Sequence, residues 1–199
     1  MKSEFRDDGK PRVPPGQHEV DSFPVLQKGK IAHVTRDNYE LEIAGEIKNP
    51  KVLSLQELNQ LEDKIIHVDI HCVTSWSKLE TQWTGISFTT LIDIVEPKSS
   101  AQFVEFLCAD DNFTTSVPIN KIKTPDAILA LRYDGLPLGD KHGGPVRAVI
   151  PDLYFYKSAK WIKKITFLKK DRLGYWERGG YSNKADPWKE QRYRSDDEK

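Results

Sequence analysis

The chain has 199 residues, 38% of them hydrophobic, with five Trp, seven Tyr and eight Phe, enough for one good-sized core and for one domain rather than two. Thirty basic and thirty acidic side chains cancel to a formal net charge of zero, so no global field recruits nucleic acid or an anionic membrane, and any basic site must be local. No apolar stretch approaches the roughly 20 residues that cross a bilayer.

Met1 to Gly16 form a polar arm with Pro11, Pro14 and Pro15, and they lack both the apolar core of a secretory signal and a twin-arginine pair. A cytoplasmic protein is expected, with a single domain over residues 17–194 and a free charged tail over 195–199. The arm leads into Phe23-Pro24-Val25-Leu26, an apolar patch that must pack on something. Tyr39, Leu41 and Ile43 alternate with Glu40 and Glu42, the period of a half-exposed strand ending at Gly45.

Ser54-Leu55-Gln56-Glu57 is a capping box, and Leu55, Leu58 and Leu61 give a short amphipathic helix. A strand over Ile65 to Cys72 follows. A loop with Trp76, Trp83 and Gly85 then leads to Ser87, which caps a helix whose Phe88, Leu91, Ile92 and Val95 share one face before Pro97.

Val104, Phe106 and Cys108 alternate as a strand, and Asp110-Asp111-Asn112 turns the chain into a second one over Phe113 to Ile119. Asp110 and Asp111 read best as a solvated hairpin tip, with a substrate-facing role as the alternative. Ile128 to Tyr133 and Val146 to Ile150 are strands, Lys157 to Trp161 suits one helical turn, and Ile162 to Leu168 is a final strand. The aromatic-rich tail, with Tyr175, Trp176, Tyr181 and Trp188, carries too many aromatics to be disordered and should lie across the body or fill an interface.

Two constellations carry chemistry. The first is His71-Cys72-Val73-Thr74-Ser75-Trp76-Ser77, where a thiol at the mouth of a strand meets hydroxyls and backbone N–H groups that favour a thiolate for a soft metal. Taken alone, the stretch favours the usual fate of a free cysteine, a small buried hydrophobe. A zinc or copper site from His71, Cys72 and Cys108 is disfavoured, because adjacent strand residues point to opposite faces. The second is Lys141-His142-Gly143-Gly144-Pro145-Val146-Arg147 with Lys157 and Lys160. The diglycine permits close backbone approach, Arg147 offers a bidentate fork, and two lysines three apart on a helical turn share a face, which together suit a phosphate. Singly, the lysines read as a solvated face, and Arg147 is as well explained by a structural salt bridge.

In order and spacing, these two stretches, with Trp83-Thr84-Gly85, Lys157-Ser158-Ala159-Lys160-Trp161 and Gly174-Tyr175-Trp176-Glu177 to Asp186-Pro187-Trp188, resemble the molybdopterin-binding domain of the sulfite oxidase family. The likeness runs from about Pro14 to Tyr193, and is to small sulfite-oxidase-like proteins and bacterial methionine sulfoxide reductase catalytic subunits. It implies an α+β fold with mixed β-sheet and short helices around a molybdenum-molybdopterin cofactor, the metal held by the pterin dithiolene and by Cys72.

By the same resemblance His142 stands beside the cofactor as a catalytic polar residue. Arg147, Ser158 and Lys160, with Lys157 second, contact the pterin phosphate, and Cys108 lines the pterin. His33 and residues 23–26 fall where the family folds an N-terminal segment over the cofactor. The implied reaction is two-electron oxo transfer with a small-molecule oxo donor or acceptor of sulfur or nitrogen oxide type, supplied with electrons by an unidentified protein or carrier. The family's sulfite-oxidising members follow the cysteine with Ala-Gly-Asn-Arg. Val73-Thr74-Ser75-Trp76 offers no such arginine, which argues against sulfite. Two other readings stand beside this one: a non-catalytic molybdopterin carrier, and a β-rich interaction domain with an inert cysteine.

Overall fold

The computed structural model describes residues 4–6, 8–22 and 24–198. In chain order the elements are β1 (His18–Glu19), β2 (Glu40–Gly45), β3 (Lys51–Ser54), α1 (Leu55–Gln60), β4 (Lys64–His71), β5 (Trp76–Ser87) and α2 (Phe88–Val95). There follow β6 (Phe103–Cys108), β7 (Thr114–Pro118), α3 (Ile119–Ile122), β8 (Ile128–Tyr133), β9 (Leu136–Pro137), β10 (Arg147–Val149), β11 (Ile162–Leu168) and α4 (Tyr175–Arg178). The fold is α+β, as expected: two mixed sheets with short helices between strands.

One sheet runs β1-β5-β8-β10, with β4 added on β5 and β9 on β8, and the other runs β3-β2-β11-β6-β7. The strand period of two divides the core. On β8, Leu129 and Leu131 face the large cluster shared with Leu41, Ile43, Val104, Phe106, Ile165 and Phe167 of the second sheet. Ile128 and Ala130 face the other way, onto Ile66, Val68, Ile70 and Trp83. The capping box forms as read, with Glu57 N donating to Ser54 Oγ and Glu57 accepting from Ser54 N. Ser87 Oγ likewise accepts from Thr90 N, and Phe88, Leu91 and Val95 are the buried face of α2.

Three expectations differ from the structure. Residues 76–87, read as a loop, are the longest strand, because Leu79, Thr81 and Trp83 point inward between polar neighbours. A left-handed Glu80 and a register shift at Val68/Ile70 interrupt the ladder there, which blurs the period. The helical turn expected over Lys157 to Trp161 is a 3-10 turn over Phe155–Lys157, and Trp161 is left-handed (φ 52°), so Lys157 and Lys160 do not share a face. The tail expected to be free from Ser195 is tied down: Arg194–Asp196 is a 3-10 turn, and Asp197 accepts from Asn183 N at 3.0 Å.

Candidate active site

β4 delivers Cys72 to a tight corner. Its N–H donates to Trp76 O (2.8 Å), its carbonyl accepts from Ser75 N (3.0 Å), and Ser75 takes a left-handed φ of 74°. Two distant segments clamp this corner. Gln17 Nε2 donates to Cys72 O at 3.0 Å, and Arg192 donates to Val73 O at 2.6 Å. Cys72 Sγ lies 3.1 Å from Thr74 Oγ1. Burial pushes the thiol pKa up, while Thr74, the local backbone N–H groups and the Arg192 charge oppose that rise and favour the thiolate.

Cys72 lines a cavity of about 310 Å³ made by the loops after β4, β6 and β10, the N-terminal arm and the tail. Arg147, Ser158 and Lys160 lie on the same wall, joined by Lys141. Arg147 is 1% exposed, and its guanidinium donates to His142 O (3.0 Å), Ser158 O (2.9 Å) and Ala148 O (3.3 Å). Its charge sits 4.3 Å from the Phe155 ring and 5.2 Å from that of Trp83. Among the described residues no carboxylate pairs with it, so the salt bridge weighed from sequence is not its role.

Lys160 Nζ donates to Leu26 O at 2.8 Å and lies 4.2 Å from the Trp161 ring. Burial and the nearby Arg147 charge press its pKa down to about 7. Gly143, with φ 93°, leaves room for this lysine, since a Cβ there would stand 2.7 Å from Lys160 Cβ. Ser158 Oγ accepts from Ile150 N at 3.0 Å, which fixes the loop rather than reaching outward.

Other expected residues lie elsewhere. Lys157 is fully buried, and its three N–H donors go to Glu177 Oε1 (2.5 Å), Ser116 O (3.0 Å) and Asn183 Oδ1 (3.1 Å). That leaves no donor for a phosphate. Cys108 is fully buried in the large core, and neither it nor His142 is on the cavity wall. The His142 ring lies 5.8 Å from that of Tyr133, with its pKa lowered by burial and the Arg147 charge.

Pro24 to Lys28 of the arm do line the cavity, while Phe23 lies outside the described residues. His33 is 81% exposed and meets Asp140 at 2.7 Å instead. Asp110, read as a solvated tip, is buried on the cavity wall, and only its neighbour Asp111 faces solvent. Sequence reasoning gave no role at the site to Arg192 or Tyr156; their placement depends on long-range packing that leaves no local spacing signal.

The model of the oxidoreductase molybdopterin-binding domain family matches residues 28–176. The uncharacterised oxidoreductase YuiH of Bacillus subtilis is 37% identical over 183 residues, with 92% of each chain covered. The chain is 32% identical to a putative protein-methionine-sulfoxide reductase subunit, YedZ1, of Azospira oryzae, covering 77% of this chain and 58% of that one. The protein-methionine-sulfoxide reductase catalytic subunit MsrP of Burkholderia mallei is 29% identical over 73% of this chain, which spans half of that protein's length. Among solved structures, the sulfane dehydrogenase SoxCD of Paracoccus pantotrophus shares the fold, with a TM-score of 0.66 at 18% identity over 75% of this chain and 42% of that one. With its thiol and its unpaired arginine on one cavity, the chain belongs to the molybdopterin-binding oxidoreductase family, of the sulfite oxidase type.

Proposed function

We propose that the protein carries out two-electron oxo transfer on a small sulfur or nitrogen oxide, using molybdenum-molybdopterin with Cys72 as the protein ligand to the metal. The observation that carries this reading is Arg147, a buried cation with no carboxylate paired to it among the described residues, sharing a cavity with a thiol. A guanidinium held only by carbonyls and rings is costly to bury, and an anionic ligand offsets that cost.

The donor set fits the group. Arg147, Lys160 and Lys141 present charge for a phosphate, and Cys72 presents one soft sulfur. Among the described residues no three His, Cys, Asp or Glu side chains gather as a protein-only metal site, so a metal at Cys72 would draw its other ligands from a bound group.

When bound, the cofactor supplies the redox chemistry, and the protein supplies position and electrostatics. Arg147, pre-set by three carbonyls, neutralises the phosphate with Lys160. Thr74 and the N–H groups at the corner would support Cys72 as thiolate once a metal displaces its proton. The arm residues Pro24 to Lys28 cover the cavity and limit water. His142 acts from behind the wall, by orienting Arg147 through its carbonyl. Lys157 and Cys108 serve the fold rather than the cofactor in this reading.

Sulfoxide reduction is the favoured direction, supported by the names of the methionine-sulfoxide reductase relatives and by Val73-Thr74-Ser75-Trp76 after the cysteine. Electrons would come from another protein or a diffusible carrier. A cytoplasmic setting is part of the proposal, and no helix among the described residues is long and apolar enough to cross a membrane.

The test is metal and pterin analysis of wild type and Cys72→Ser from a cofactor-competent host, with turnover of methyl sulfoxides from a reduced artificial donor. Wild type should carry molybdenum and pterin in near-equal amounts and reduce sulfoxide, while Cys72→Ser loses turnover and most of the metal. Wild type free of both would overturn the reading. Equal metal in the mutant would remove Cys72 as ligand.

A further inference from the structure

One buried group on the cavity wall is not used by the cofactor reading. Asp110 follows β6 and is 8% exposed; its Oδ1 is buried with no hydrogen-bond partner among the described residues, and no ion pair joins it there. The backbone places it: Asp110 O accepts from Phe113 N at 2.9 Å, and Asp111 and Asn112 are both left-handed, so the turn keeps Asp110 against the cavity while Asp111 faces solvent. Lys160 and Lys28 act on its charge without bonding to it, and their own contacts lie elsewhere. Lys160 donates to Leu26 O, and Lys28 Nζ sits 4.3 Å above the Tyr175 ring.

Beside Asp110 the cavity is aromatic, lined by Phe113, Tyr156, Trp176 and Tyr181. The last three form a continuous wall, with Trp176 and Tyr181 at 5.4 Å and Tyr181 and Tyr156 at 5.7 Å between ring centroids. Thioether and sulfoxide sulfur packs well on ring edges, and a cation is drawn to ring faces. A buried acceptor without a partner calls for a donor from the ligand.

Resting on the oxo-transfer reading of this same cavity, we propose that Asp110 and the aromatic wall determine substrate specificity by charge. They select a methyl sulfoxide that carries an amino or other N–H group, and they turn away oxyanions. The rings hold the methyl-sulfur end, and the carboxylate takes the N–H group. The same carboxylate repels an anionic substrate, so selectivity comes from attraction and repulsion together.

The experiment uses molybdenum-loaded protein, wild type and Asp110→Asn, and three methionine sulfoxide derivatives: the methyl ester, cationic at its amine; the N-acetyl amide, neutral; and the N-acetyl acid, anionic. Binding is measured by calorimetry and KM by turnover, with metal content and Tm recorded for each protein. Wild type should bind the ester on the order of tenfold more tightly than the acid, a preference that shrinks with added salt. Asp110→Asn should bring the two within about twofold at unchanged metal content, and Asp110→Glu should restore the order.

An unchanged preference in Asp110→Asn overturns the proposal. So does a wild-type protein that binds none of the three, or that shows no charge preference, and this arm stands whether or not the variants fold. Binding with the expected preference but no turnover would instead overturn the oxo-transfer reading and leave the selection intact.

Discussion

Lys157 and Lys160 differ in fate although three positions separate them. Lys157 is sealed against Glu177, so Lys157→Ala leaves a buried carboxylate uncompensated. We expect it to cost about 3 to 5 kcal/mol of stability, read as a drop in the urea midpoint of the cofactor-free protein. Lys160→Ala should instead leave that midpoint no lower than wild type and reduce pterin retention. A stable Lys157→Ala with lost pterin would reverse the two roles. Residue types alone grouped Lys157 with Arg147 and Lys160, and the structure places only the latter two on the cavity wall. The separation of the two lysines was hidden, because it turns on the left-handed Trp161 and on Glu177, twenty positions away.

At the scale of elements, the corner between β4 and β5 is rigid because the tail and the arm hold its carbonyls, Arg192 on Val73 O and Gln17 on Cys72 O. Arg192→Ala should speed amide hydrogen exchange over residues 72–76 and lower molybdenum content, with less effect on exchange in β8. Unchanged exchange at the corner would show the clamp to be idle. Ser87→Ala removes the cap of α2 and should cost about 1 kcal/mol, seen in thermal unfolding, without changing metal content.

Both capped helices were legible in the sequence because capping and apolar spacing are local. β5 was not. Its inward Thr81 and its bulge against β4 obscure the alternation that marks a strand, and only the register with β4 and β8 defines it. The burial of Asp110 was hidden for a similar reason: a turn sequence signals exposure, and the cover comes from elements remote in the chain.

In the whole molecule, the loops of both sheets meet at one cavity where Arg147, Lys160, Lys141 and Lys28 outnumber the single carboxylate, Asp110, among the described lining residues, so the cofactor-free fold carries an electrostatic penalty. Lys160 measures part of it. Burial holds its folded pKa near 7, below the unfolded value of 10.5. Below pH 7 both states bind the proton and the penalty is complete. Between pH 7 and 10.5 the unfolded state binds more, so stability rises with pH. Relative to wild type, Lys160→Met should therefore raise the Tm of cofactor-free protein at pH 7, with the gain fading toward pH 10.5. A difference that is flat with pH would show Lys160 to be solvated.

The central claim is that Cys72 binds the metal, and the sulfur shell seen by X-ray absorption at the molybdenum edge tests it most directly. Wild type should show one more sulfur neighbour than Cys72→Ser reconstituted with the same cofactor. An identical sulfur shell in the two proteins would contradict it.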